Sequence, residues 1–272
     1  MSGDTVHPAA PAIVVAGLNK RFGSLSVLRE LNLSIADQEF VCILGPSGSG
    51  KSTLLNIISG LDTVFKGTLT IGAKRVGYLF QEPRLLPWLT AERNVDFVLE
   101  GCAVPNERRA ELKDHYFALA GLAEFRGYYP HQLSGGMRQR VALVRALCVE
   151  PAILLMDEPF GGLDELTARR LRIDLLRIWR ETRKTIVFVT HNAYEASYLA
   201  DRVLVMAQGR IRDEIIVTVP RPRDYDDPAV FDVNRDVVRR FLAAAELAPE
   251  RPAEGAASAI SPNPLLQSSG GL

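Results

Sequence analysis

Gly45-Pro-Ser-Gly-Ser-Gly-Lys-Ser52 follows an apolar, β-favouring stretch, Glu39-Phe-Val-Cys-Ile-Leu44, and opens a stretch of helical character, Lys51-Ser-Thr-Leu-Leu-Asn-Ile-Ile58. Strand, glycine-rich loop and helix, in that order, are the context that a G-x-x-x-x-G-K-[ST] match needs before it has meaning. Gly45, Gly48 and Gly50 let the backbone curl so that consecutive N–H groups face one anion, and the helix N-terminus adds its partial positive charge. Gly45, Pro46, Ser47, Gly48, Ser49, Gly50, Lys51, Ser52 and Thr53 are therefore the candidate phosphate-binding residues. Lys51 supplies a point charge for the β- and γ-phosphates of ATP, and the Ser52 hydroxyl is a ligand for Mg²⁺. A chance Gly/Ser turn could match the pattern, but it would lack the flanking strand and helix.

Ile153-Leu-Leu-Met156 is a continuous apolar run closed by Asp157 and Glu158. This is the pattern of a parallel strand buried on both faces that delivers carboxylates at its C-terminal end. Asp157 is the candidate for Mg²⁺, and Glu158 the candidate to orient or deprotonate an attacking water. A second apolar strand, Thr185-Ile-Val-Phe-Val189, ends in Thr190-His191. On its own, His191 could equally be a satisfied or solvent-facing histidine. Gln81, after Val76-Gly-Tyr-Leu-Phe80, could coordinate Mg²⁺, bond the nucleophilic water or simply begin a loop. Leu133-Ser-Gly-Gly-Met-Arg-Gln-Arg140 places Ser134 where it can cap a helix running from about Met137, and such a helix start is a ready anion site.

With these residues in view, the chain resembles the nucleotide-binding subunits of ABC transporters from about residue 12 to 243. Leu133–Arg140 resembles the family's signature motif, Phe80-Gln81-Glu82 its Q-loop, Ile153–Glu158 its Walker B strand, Leu163-Asp164 its D-loop and Thr190-His191 its switch histidine. The resemblance implies an α/β P-loop NTPase fold spanning residues 12–244. Its parts are a RecA-like core, an antiparallel β-subdomain and an inserted α-helical subdomain at about 83–150. It implies that Glu158, His191 and Gln81 are catalytic, and that Ser52, Gln81 and Asp157 hold the metal. It implies too that Ser134, Gly135, Gly136 and Gln139 of one copy face the ATP held by another, with Asp164 in the D-loop. Phe22, after Lys20-Arg21, stands where the family usually has a tyrosine stacked on adenine. A core position is the alternative. Gly162 stands before Leu163-Asp164 where Ala or Ser is commoner.

The 272 residues can hold one large α/β domain with an insertion. Thirty-two basic and thirty-two acidic residues cancel, so there is no global electrostatic case for nucleic acid or anionic lipid. The Arg-rich stretch Arg169 to Lys184 reads as the wet side of a helix whose Leu171, Leu175 and Ile178 face inward. Cys42, Cys102 and Cys148 are odd in number and lack metal-ligand spacing, as expected of reduced thiols. The chain shows neither a signal peptide nor an apolar run long enough to span a membrane. A cytoplasmic protein, peripheral on the inner face of the membrane, is the expectation. Residues 1–11 and 245–272 read as disordered ends.

The resemblance implies a homodimeric ATPase that powers an importer through separate permease subunits, and meets a solute-binding protein only indirectly. Gly77 to Thr90 and the late Pro220-Arg-Pro-Arg-Asp224 resemble the nitrate, sulfonate and taurine group. The alternatives are a soluble ABC-type ATPase not coupled to transport and an inert regulator, against which Glu158 and His191 argue. Arg84-Leu-Leu-Pro-Trp88 combines leucines, a proline and a tryptophan just after Gln81 and is the expected dock for the membrane subunit. Leu85, Leu86 and Trp88 could instead seal the helical subdomain.

Overall fold

The computed structural model describes residues 11–246. The expectation of disordered ends therefore falls outside the described residues, except at Pro11, Ala245 and Glu246. At the C-terminal side it is corrected by two residues, because the final helix runs to Glu246. Its last turns are anchored, since Ala244 is buried and Phe241 packs on the core.

Two sheets carry the fold. The antiparallel one has the order β2-β1-β4, from β1 (Ile13–Phe22), β2 (Leu25–Ile35) and β4 (Lys66–Ile71). The larger one runs β5-β6-β7-β3-β8-β9. Its strands are β3 (Phe40–Leu44), β5 (Val76–Leu79), β6 (Ile153–Asp157), β7 (Thr185–Thr190), β8 (Arg202–Ala207) and β9 (Arg210–Ile216). All pairings within it are parallel except β8 with β9. The expected P-loop α/β architecture is thus the observed one.

Sheet and sequence are linked by period two. In β3, Phe40, Cys42 and Leu44 enter one core and Val41 and Ile43 the other. β6 and β7 divide in the same way, which is why each reads as an unbroken apolar run. One face is covered by the long helices and the other by α1 (Lys51–Ile58) and the antiparallel sheet.

Between β5 and β6 the chain leaves the sheet to form α2 (Ala91–Gly101), α3 (Asn106–Leu119) and α4 (Gly135–Leu147). It returns to pair Val76 with Ile153. The remaining helices are α5 (Glu165–Thr182), α6 (Ala193–Leu199) and α7 (Pro228–Glu246). Along α5, Leu171, Leu175 and Ile178 are buried as their spacing requires. Arg172 breaks the wet-face reading: it is only 2% exposed, because acidic partners from α5 and α6 surround it. Cys42, Cys102 and Cys148 are all free thiols.

Candidate nucleotide site

The strand register puts the phosphate loop, Asp157, Glu158 and His191 at one end of the parallel sheet. Leu44 pairs with Thr190, and Asp157 with Val189, so the loops after β3, β6 and β7 emerge side by side. Clefts at the carboxyl ends of such strands are where α/β sheets bind ligands.

The loop between β3 and α1 is built on close backbone approach. A Cβ on Gly45 would lie 2.4 Å from the Met206 carbonyl oxygen. Gly50 has φ +104°, and a Cβ there would meet Leu28 at 2.8 Å. Lys51 Nζ donates to the Gly45 and Pro46 carbonyls at 2.8 and 3.0 Å, so the ammonium lies inside the curl of its own loop. Burial lowers its pKa, against the opposing charges of Glu158 and Asp157. Pro46, Ser47, Gly48 and Ser49 line a cavity of about 300 Å³ together with Leu25 and Val27 of β2. Within that loop the Ser49 hydroxyl is buried without a protein partner.

The adjacent acids after β6 diverge. Ser52 Oγ donates to Asp157 Oδ1 at 2.9 Å. Burial raises the Asp157 pKa, and the Glu158 charge adds to it, against the Ser52 hydroxyl and Lys51. A carboxylate held so at the foot of the loop favours a cation beside it. Glu158 takes φ +42°, a left-handed conformation that costs a non-glycine residue roughly 1–3 kcal/mol. It is held there by its N–H on the Val189 carbonyl and by Gly161 N–H on its own carbonyl, both at 3.0 Å. The turn carries the side chain to His191, whose Nδ1 lies 3.2 Å from Glu158 Oε2. Gln81 approaches the same corner, since a Cβ on Gly161 would sit 3.3 Å from its amide nitrogen.

Ser134 caps α4, accepting from Met137 N–H at 3.2 Å. The helix starts at Gly135, two residues earlier than expected. A Cβ on Gly136 would strike Thr167 Cγ2 at 2.4 Å, so α4 begins hard against α5. Gly135 lines a separate cavity with Gln81 and Leu163, away from the residues of the phosphate loop. Asp164 caps α5 through Thr167 N–H at 3.0 Å, and the Thr167 side chain, with that backbone N–H, lowers its pKa.

Gln139, expected beside the ATP of another copy, is largely enclosed by its own chain, though it lines the cavity of Gly135. It is 4% exposed, and its amide donates inward to the Pro159 carbonyl at 2.9 Å. Its amide turns inward because it lies on the side of α4 that packs toward β6 and the loop after it.

Phe22 is 53% exposed at the end of β1, which removes the core alternative. Lys20 Nζ lies 4.6 Å from its ring centroid while bound to Asp62 at 2.6 Å. In the Arg84–Trp88 segment, Leu85 packs on the core while Trp88 is 69% exposed. Two residues missed in the sequence pin this segment. Asn94 donates to the Leu86, Leu89 and Thr90 carbonyls, and Arg145 to those of Pro83 and Arg84. Also missed was Tyr78, whose hydroxyl bonds Asn56 at 3.1 Å and reaches Asp157 Oδ2 at 3.5 Å. These contacts span from a few to dozens of positions and carry no local pattern.

Among the described residues, no helix is long and apolar enough to cross a membrane. A family model described as ABC transporter matches residues 28–161. The aliphatic sulfonates import ATP-binding protein SsuB 3 of Nocardia farcinica is 43% identical over 252 residues, covering 93% of this chain and 98% of that protein. The nitrate import ATP-binding protein NrtD of a Synechocystis species is 39% identical over 237 residues, covering 82% and 88%. Among solved structures, a dimeric ATP-binding cassette in a post-hydrolysis state with ADP and Pi is similar at TM-score 0.67 and 33% identity, over 76% of this chain and all of that one. With the P-loop and the paired acids at one end of the parallel sheet and the Ser134-capped helix packed against α5, the chain belongs to the ABC transporter family, as an ATPase of the P-loop NTPase fold.

Proposed function

We propose that this protein is the ATP-hydrolysing subunit of an importer for a small oxyanion-type solute of the sulfonate, taurine or nitrate class. The observation that carries the reading is the divergence of the two acids after β6, with Asp157 on Ser52 and Glu158 beside His191. Gly45 to Thr53 hold the phosphates of ATP, with Lys51 as the charge on the β- and γ-phosphates. Ser52, Gln81 and Asp157 hold Mg²⁺. The fit is supported by their oxygen donors and by the burial of Asp157 beside the Ser52 hydroxyl. Mg²⁺ bound there supplies charge neutralisation of the phosphates. Glu158 takes the proton of the attacking water or orients it, and His191 holds Glu158 and the γ-phosphate side of the site in register.

The cavity lined by Gly135 includes none of the chain's own phosphate-loop residues, which supports completion of each site by a second copy in a twofold dimer. The sulfonate and nitrate relatives support separate permease subunits, and hence a place at the inner face of the membrane, with the solute-binding protein met only through the permease.

The coupling segment provides the test. Trp88 is exposed while the backbone beneath it is pinned, so Trp88→Asp leaves the melting temperature and ATP affinity unchanged. It abolishes co-purification with the permease and uptake of the solute in cells. Wild-type uptake by this variant would remove the segment from coupling. A gene deletion that leaves sulfonate, taurine and nitrate uptake intact would overturn the solute class.

Phe22 stacks on adenine, the Lys20 ammonium lying against its ring. Base stacking of this kind is worth roughly 1–3 kcal/mol, so Phe22→Ala weakens ATP binding about 5- to 150-fold. Because Phe22 is already half exposed, stability changes little. A large fall in melting temperature with unchanged affinity would contradict the assignment.

A further inference from the structure

His191 stands between β7 and α6, and a polar chain leads away from it, buried from Thr190 through Glu195 to Arg172 and reaching solvent at Glu165. Thr190 Oγ1 accepts from Asn192 N–H at 3.0 Å and donates to Glu195 Oε2 at 2.6 Å. The first of these bonds straddles His191 and closes its loop. The other carboxylate oxygen of Glu195 accepts from Arg172 Nη2 at 2.9 Å. Arg172 Nη1 donates to Glu165 Oε1 at 2.8 Å and to the Tyr225 hydroxyl at 2.6 Å. Tyr225 in turn donates to Glu165 at 2.8 Å. Glu165 is the first residue of α5, directly after the capping Asp164.

The far end of α6 is clamped as well: Arg223 Nη1 donates to the Tyr198 and Ala200 carbonyls at 2.9 and 2.7 Å. Arg172 and Glu195 line the same cavity, about 190 Å³, as Glu158 and His191.

Arg172 is 2% and Glu195 6% exposed. A buried ion pair is a poor source of stability, because desolvating both charges offsets much of their attraction and apolar residues of like volume often do better. What the pair supplies and apolar packing does not is direction, since the planar guanidinium ties three oxygens at fixed angles.

We propose that Arg172 is a positioning residue for ATP hydrolysis. Through Glu195 and Thr190 it fixes the His191 loop against Glu158, and through Glu165 it ties that loop to the start of α5. The inference rests on the role given to His191 above. A catalytic group displaced by about 1 Å can cost a hundredfold in rate, so the network acts on turnover and leaves nucleotide binding alone.

The experiment compares Thr190→Val, Thr190→Ser, Arg172→Gln and His191→Ala in the full chain. It measures kcat by phosphate release, affinity for a fluorescent ATP analogue, and melting temperature. Thr190→Val keeps shape and loses the hydroxyl; Thr190→Ser keeps the hydroxyl. Arg172→Gln cannot span Glu195 and Glu165 together. Thr190→Val and Arg172→Gln are expected to lower kcat by roughly ten- to a hundredfold, with affinity unchanged and Thr190→Ser near wild type. Thr190→Val placed on His191→Ala is expected to add no further loss, since both act on one element.

Wild-type kcat in Thr190→Val and Arg172→Gln, with His191→Ala inactive, overturns the positioning role alone. Wild-type kcat in His191→Ala overturns the histidine's role and this inference with it. If Arg172→Gln melts early, the Thr190 variants decide. A loss that tracks a fall in melting temperature, or that adds fully to His191→Ala, makes the network structural only and also overturns the proposal.

Discussion

Glu158→Gln abolishes steady-state ATP hydrolysis while ATP still binds. The amide keeps the size and the contact to His191 that the carboxylate has at 3.2 Å, yet it cannot accept a proton. General-base contributions of about 10²–10⁴ in rate set the expected loss. Asp157 cannot substitute, because it is turned onto Ser52 while the left-handed backbone at Glu158 sends the neighbouring side chain the other way. Phosphate release by the variant, measured with the permease present, checks this. Retention of a substantial fraction of turnover would place the base elsewhere. ATP affinity within a few-fold of wild type is expected at the same time, since the phosphate loop is untouched.

Ser134→Arg prevents assembly. In a twofold pair one chain's signature helix completes its partner's phosphate site, and symmetry makes two equivalent sites. Glu158→Gln with Mg-ATP therefore sediments as a dimer, and Glu158→Gln combined with Ser134→Arg as a monomer. The arginine crowds the γ-phosphate at the helix start, whereas loss of the Ser134 cap on Met137 N–H costs the fold only about 1 kcal/mol. ATP affinity stays intact, because Ser134 does not touch its own chain's loop residues. A monomeric Glu158→Gln at concentrations well above its ATP affinity, or a dimer that survives the added arginine, would contradict the arrangement.

Several features of the site were legible before any coordinates. The strand, loop and helix around Gly45–Ser52 are local in sequence, and their chemistry depends on backbone shape that glycine spacing reports directly. The same holds for the Ser134 cap, which reaches only to Met137. Arg172 shows the opposite case. By composition it belongs to a solvated arginine-rich face, and its burial follows from Glu195 and Tyr225, 23 and 53 residues away. Asn94 and Arg145 are unreadable for the same reason, their partners being bare carbonyls of the Pro83–Thr90 loop.

The sequence by itself determined the class of fold and which residue types stand at each strand end, because apolar period and loop chemistry act over a few residues. Only the tertiary structure decided how those ends share the work. Whether Asp157 or Glu158 meets Ser52 depends on a positive φ at Glu158 held by Val189 of a neighbouring strand. Whether Gln139 faces inward or outward depends on how α4 packs, and whether Phe22 is core or free depends on what covers the end of β1. Each is set by contacts between distant segments, where burial and hydrogen-bond direction, and not local propensity, determine which way a side chain points.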